Sequence, residues 1–361
     1  MIALNFYVPC NLGSTPGAEH HEVYRQNVEL AKFAAAELGV STFDIPEHHF
    51  VDMLNVPGPF VMAAHLAAQI ENVKVRTTVA PIVLHDNLLR FAGEAALADN
   101  LTEGRVEIGL SRGSIDYEAR RLGGTMARSR DRFQEGVLFL ERLFGERDVT
   151  ADGEFYKVPE ATTIMPRTYK ERRIPIWLGS TSRDSIRWAA SHGFNVVTTS
   201  LREPVELLRK QAQWFHEAAD ELPDTVERPR VDVLTQVFVS EDEGEILRIK
   251  ERIVEKQVAQ MRGLLVGAPR FIDGKMVNQG GGDEVTLSVE DIEESVLIGT
   301  PEEVLEGIQL REQLGYNGVS LDLFYHDPGF DSVMGSLELF RDKVLPGLRG
   351  TQADLPQPAS R

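Results

Sequence analysis

The chain is almost without cysteine. Cys10 stands alone in 361 residues, so no intrachain disulfide can form and a reducing cytoplasm is the compartment expected. Positive charge is also scarce, with 38 Lys and Arg against 56 Asp and Glu. A formal net charge of −18 excludes a protein whose main task is gripping a phosphodiester backbone, which needs a basic face. The first residues, MIALNFYVPCNLG, lack the basic region and long apolar core of a signal peptide. The longest apolar stretches, such as FVMAAHLAAQI, are too short and too polar to span a bilayer, so no membrane partner is expected. No Pro/Ser-rich linker, internal repeat or low-complexity block divides the chain.

Several catalytic signatures are missing as well. No GxGxxG follows the first strand, which argues against a Rossmann nicotinamide site, and there is neither a GxxxxGK[ST] loop nor a GxSxG elbow. Cys10 ends an apolar strand and reads as a packing residue.

What is present is an alternation of short β-branched or aromatic runs with longer amphipathic ones, the pattern of a parallel sheet wrapped by helices. It predicts strands at 2–8, 41–45, 73–79, 105–109, 174–178, 194–198, 231–238 and 318–323. Helical spacing is clearest at 20–38, 59–71, 129–144, 182–192, 203–221, 241–262, 301–314 and 332–346. Eight strands is the count of a single (β/α)8 TIM barrel, expected over residues 1–350. Ser182 and Thr300-Pro301 mark helix starts, while Gly39, Gly193 and Gly315 mark ends. The Gly-rich stretch 263–290 between strands seven and eight breaks the rhythm and is expected to be a mobile lid insertion. The last residues, 351–361, have the composition of a disordered tail.

In such a barrel, residues just beyond the strand C-termini share one mouth, where the chemistry sits. Glu47, His48 and His49 in DIPEHHF fall there after strand two, and His85 and Asp86 after strand three. Two adjacent imidazoles can be catalytic, metal-binding, or polar residues bonded to backbone. Neighbours in extended chain point opposite ways and no HxxxH, HxH or CxxC accompanies them, so no metal site is expected. Acid–base work needs only one His facing the cavity, with a pKa that Glu47 could adjust.

After strand four, GLSRGS places Ser111 and Arg112 between Gly109 and Gly113. The glycines permit close backbone approach, and the guanidinium fork suits a phosphate or carboxylate. Arg105, Arg120 and Arg121 are near enough in sequence to join Arg112 in a basic pocket. After strand five, WLGSTSRDS supplies Gly179, Ser180, Thr181 and Ser182 at a helix start, where an anion is favoured; helix capping by Ser180 or Ser182 is the alternative. Pro81 closes strand three, and the Ala80–Pro81 bond is a candidate for cis geometry in the cavity wall.

These residues resemble the bacterial luciferase-like flavin monooxygenases, in order along nearly the whole chain. The segments that carry the resemblance are EHHF, VPGPFVMAAHLAAQIENVKVRTTVAPIVLH, LADNLTEGRVEIGLSRGS, IPIWLGSTSRDSIRWAASHGF, IGTPEEVLEGIQ and LELFRDKVLPGL. The resemblance implies a barrel that takes reduced flavin mononucleotide (FMN) from a separate NAD(P)H:flavin reductase. It forms a C4a-(hydro)peroxyflavin with dioxygen and oxidises a small organic carbonyl, alkene or aldehyde. It assigns catalysis to His48 with His49 as its neighbour, the phosphate grip to Arg112, and the opposite wall of that grip to Gly179, Ser180 and Ser182. It places a cis peptide under the flavin ring at Ala80–Pro81 and a mobile active-site loop at 263–290. It also suggests a homodimer. Within the same superfamily a deazaflavin-dependent oxidoreductase is the alternative, and outside catalysis a flavin-binding barrel, although such proteins tend to lose the histidine motif kept here. The light-emitting members carry a reactive Cys where this chain has Ser111, so the resemblance does not extend to light emission.

Overall fold

The computed structural model describes residues 2–11, 19–52, 54–200, 204–265, 270–272, 275–277, 286–323 and 329–350. Eight strands follow one another: β1 (Ala3–Tyr7), β2 (Thr42–Ile45), β3 (Lys74–Thr77), β4 (Val106–Ser111), β5 (Ile176–Gly179), β6 (Asn195–Thr199), β7 (Val231–Val239) and β8 (Gly318–Asp322). Each pairs in parallel with the next, and β8 pairs in parallel with β1, closing the barrel. All eight expected strands are there. Gly39, Gly193 and Gly315 take positive φ at the helix ends, as a left-handed cap requires. Thr300 and Glu303 form a reciprocal capping box with Pro301 in the first turn.

Among the elements that went unforeseen are the helices Leu88–Leu101 and Asp116–Arg121 and three strand pairings. Leu297–Gly299 pairs in parallel with the far end of β7, Val149–Asp152 and Lys157–Thr162 form an antiparallel ribbon, and Arg270–Ile272 pairs with Lys275–Val277. Of the expected lid, 263–265 instead end the helix Glu243–Leu265 and 289–290 begin the helix Val289–Ile292, while 266–269, 273–274 and 278–285, like the expected tail at 351–361, lie outside the described residues.

Strand alternation divides the barrel into two environments. Phe6, Phe43, Val75, Ile108, Leu178, Val233 and Leu321 belong to the apolar core between sheet and helices. The alternate positions Asn5, Asp44, Arg76, Glu107, Trp177, Asp232 and Ser320 are polar or amphipathic and bond to one another. Arg76 is the centre of this inner layer. Its Nε and Nη2 donate to Asp44 at 2.6 and 3.0 Å, and its Nη1 donates to Asp232 at 2.9 Å. The guanidinium lies 4.0 Å from the centroid of Trp177, whose Nε1 donates to Glu107 at 2.7 Å. Burial alone would lower the Arg76 pKa, but Asp44 and Asp232 outweigh it and hold the group charged.

Removing one partner of a buried ion network costs far more than the network itself gains, because the stranded charges stay desolvated. Arg76→Ala should therefore destabilise the protein by about 3–5 kcal/mol in urea denaturation. A loss below about 1 kcal/mol, the range of a surface pair, would show that the layer is not a closed network.

Candidate active site

The mouth of the barrel opens on a cavity of about 690 Å³, within the range of small-molecule sites. Pro46, His48, Thr78, Pro81, Ser111, Arg112, and Gly179 to Ser182 all line it. Thr78 also donates to Asp44 at 2.6 Å, so the Arg76 network adjoins the cavity on its inner side. Val79, Val83, Leu84, Ile115, Phe133 and Trp188 give it apolar walls.

The two histidines take different partners. His48 faces the cavity, and its Nδ1 lies 3.2 Å from both carboxylate oxygens of the buried Glu118. Glu118 also accepts from the His49 backbone amide at 2.5 Å, which fixes the carboxylate against the loop. A carboxylate can only accept, so Nδ1 carries the hydrogen and Nε2 is left as the ring's acceptor. His49 is not among the lining residues. Its Nε2 lies 2.9 Å from Glu47, whose other oxygen is 3.0 Å from His85 Nε2. The expectation that Glu47 tunes the cavity-facing histidine is thus corrected: Glu47 shares a face with His49, two residues on, and Glu118 serves His48. Glu118 escaped sequence reasoning. The signal available was an acidic residue in the short helix Asp116–Arg121 directly after GLSRGS.

The cavity lining also carries positive charge. Arg112 makes no hydrogen bond or ion pair among the described residues, and Arg130, 3.9 Å from Asp184, lines the same end. Arg130 was also missed, lying in the helix Ser129–Gly145, well away from GLSRGS in sequence. Arg130 thus stands by the first turn of the helix Arg183–Ser191, where Ser182 occupies the N-cap but does not cap: its hydroxyl donates to Ser185 at 2.9 Å. Helix-start amides left uncapped beside two guanidinium groups form a site for a dianion. Of the other arginines grouped with Arg112, none lines the cavity. Arg105 donates to the backbone carbonyls of Thr102, Ile70, Val73 and Ala67, Arg120 pairs with Asp116, and Arg121 covers Tyr117.

Two glycines bring the walls together. A Cβ on Gly109 would stand 2.0 Å from the Thr77 carbonyl oxygen, and one on Gly113, at φ +90°, would stand 2.5 Å from Val83 Cγ1. The expected cis bond is elsewhere: Ala80–Pro81 is trans and pairs with Leu110 and Ser111, while the cis bond in this wall is Thr78–Val79. Sequence reasoning favours proline because its cis form costs little, and nothing in a sequence flags a non-proline cis bond. Pro81 lines the cavity. Ala80 is fully buried in the core behind it.

Comparison with known proteins sharpens the assignment. Residues 4–318 match the model of the luciferase-like monooxygenase family. The chain belongs to that family. By this membership it is a flavin-dependent oxidoreductase of the oxygen-incorporating kind. The oxygenase component of flavin-dependent trigonelline monooxygenase from Acinetobacter baylyi is 26% identical over 349 residues, covering 92% of each chain. The alkanal monooxygenase alpha chain of Photorhabdus luminescens is 25% identical over 353 residues, covering 93% of this chain and 95% of its own. The crystal structure of the monooxygenase RslO1 from Streptomyces bottropensis superposes with a TM-score of 0.77 at 25% identity, covering 96% of this chain and all of the other. Among the described residues, no helix is long and apolar enough to cross a membrane.

The cluster Glu47–His49–His85 yields a pH dependence. Burial raises the Glu47 pKa, but the hydrogen bonds from His49 and His85 outweigh it, leaving the carboxyl below its usual 4.5. An acid whose folded pKa is depressed contributes stability above its unfolded pKa and loses it as the pH falls toward the folded value. Glu47→Gln should therefore cost about 1–3 kcal/mol at pH 7, and the gap to the parent should narrow on acidification below about 4.5. Denaturation at several pH values reads this, and a gap that stays constant into acid would refute it.

Proposed function

We propose that this chain is the oxygenase component of a two-component monooxygenase. It takes reduced FMN from a separate NAD(P)H:flavin reductase, takes dioxygen as co-substrate, and oxidises a small organic carbonyl, alkene or aldehyde. The observation that carries the reading is the lining of one cavity, which brings together two arginines, an uncapped helix start, an imidazole bonded to a carboxylate, and apolar walls. The described residues fit a phosphorylated flavin on that ground. Arg112, Arg130 and the Ser180–Ser182 segment would hold its phosphate, with Pro81, Val79 and Gly113 beside its ring system. The family relationship supports the same reading, since the trigonelline enzyme's oxygenase component is a relative. Bound there, reduced flavin supplies the electrons that activate dioxygen, so that one oxygen atom enters the substrate and the other leaves as water.

The chain's own residues do the rest. Glu118 fixes the His48 tautomer, so His48 Nε2 can take a proton from the substrate and return it during turnover. The apolar walls exclude water that would compete for the reactive oxygen. Arg112 and Arg130 bind and orient through charge-assisted hydrogen bonds at the far end of the cofactor, away from the chemistry.

Two substitutions separate these roles. His48→Ala should leave FMN affinity nearly unchanged, measured by titration, and cut turnover at least about a hundredfold. Unchanged turnover removes His48 as the base. Arg112→Ala should weaken FMN by about ten- to a hundredfold while riboflavin, lacking the phosphate, is much less affected. Equal losses for both flavins remove the phosphate assignment. Oxygen uptake with an independent flavin reductase, across a carbonyl and alkene panel, tests the function itself. Tight binding of a deazaflavin without any oxygen uptake would replace it with hydride transfer.

A further inference from the structure

Tyr7, at the end of β1, lines the cavity, and none of the roles above uses it. Strand alternation says where its side chain points. Asn5 donates to Asp232 inside the barrel, and Phe6 belongs to the apolar core between sheet and helices. Tyr7 therefore shares the interior face with Asn5, one layer nearer the mouth. It stands in register with Asp44 on β2, and Pro46 and His48, from the turn that follows β2, line the same cavity.

Among the described residues the Tyr7 hydroxyl makes no hydrogen bond. Buried side-chain polar atoms without a partner belong there to Arg167, Asp232 and Gln236, so the Tyr7 oxygen, equally unbonded, is not sealed in and opens on the cavity. A buried tyrosine normally finds a partner, and one left open at a ligand cavity is free to bond what enters. Its surroundings fix what it offers. Burial, Asp322 and Asp44 push the phenol well above its ordinary value, so the oxygen keeps its hydrogen and serves as a neutral donor. An anionic acceptor would meet the same burial and the same Asp322, so the fitting acceptor is a neutral oxygen.

His48 supplies the complement. Glu118 leaves its Nε2 as an acceptor, so neighbouring strands bring one donor and one acceptor to a single cavity. By strand order β1 is four strands from β5 in either direction round the closed barrel, as far as the fold allows from the Ser180–Ser182 segment proposed to hold the phosphate. Tyr7 is thus placed with the histidine, toward the substrate.

We propose that Tyr7 is a specificity-determining residue whose hydroxyl donates a hydrogen bond to a neutral carbonyl oxygen of the substrate. This deepens the monooxygenase reading and rests on it. Of the carbonyls and alkenes that reading admits, only a carbonyl offers Tyr7 an acceptor. An alkene of the same shape would leave the hydroxyl unmet and displace the water that could serve it. The bond holds and polarises the carbonyl, and His48 remains the base.

Binding of three probes to the full-length protein, with and without FMN, tests it: cyclohexanone, methylenecyclohexane, which keeps the shape but carries a methylene in place of the oxygen, and cyclohexanecarboxylate. The ratio of ketone to alkene affinity should fall about three- to tenfold from wild type to Tyr7→Phe, the worth of one neutral hydrogen bond. Comparing ratios cancels the difference in hydrophobicity between the probes. FMN affinity and Tm should be unchanged in Tyr7→Phe, because no hydrogen bond within the fold is lost. Tyr7→Met repeats the measurement without the ring. An unchanged ratio in both variants, no measurable ketone binding to the wild type, or the carboxylate binding best would each overturn the proposal. So would a loss of folding in both variants, which would make Tyr7 a structural residue. Loss of wild-type FMN binding or oxygen uptake, with the ratio still dependent on Tyr7, would instead overturn the flavin reading and leave Tyr7 assigned.

Discussion

The structure depends on one guanidinium. An eight-stranded barrel must fill its own interior, and most fill it with branched aliphatic side chains. Here Arg76 does much of that work, tied to β2 through Asp44 and to β7 through Asp232, and lying over the ring of Trp177 on β5. Strands far apart in sequence are thereby fixed to one charged centre. The cavity above inherits that rigidity: Thr78, which lines it, bonds to the same Asp44 that holds Arg76.

A polar barrel interior also sets the terms for what enters. Apolar walls alone would admit any small hydrophobe. Beneath the cavity Asp44 is neutralised by Arg76, while Arg112 and Arg130 bring positive charge to the lining.

Much of this was legible in the sequence because it is local. Strand order, helix caps and the placement of EHHF, GLSRGS and WLGSTS at strand ends follow from periodicity and turn chemistry over a few residues each. What was not legible depends on side chains that meet only after closure. The pairing of His48 with Glu118 joins positions 70 apart, and the short helix bearing Glu118 has too few residues for periodicity to reveal its buried face. Arg130 reaches the mouth from a helix whose apolar spacing describes only its core side. The cis bond at Thr78–Val79 and the pairing of Leu297–Gly299 with β7 left no local mark at all.

The separation of the two histidines depends on the length of one turn. Because His48 meets Glu118 and His49 meets Glu47 from the irregular turn that follows Ile45, loss or gain of one residue between Ile45 and His48 would shift which ring meets which carboxylate. The cavity would still hold an imidazole, but one detached from Glu118. The length of this short connection therefore matters to the site as much as the identity of the residues within it.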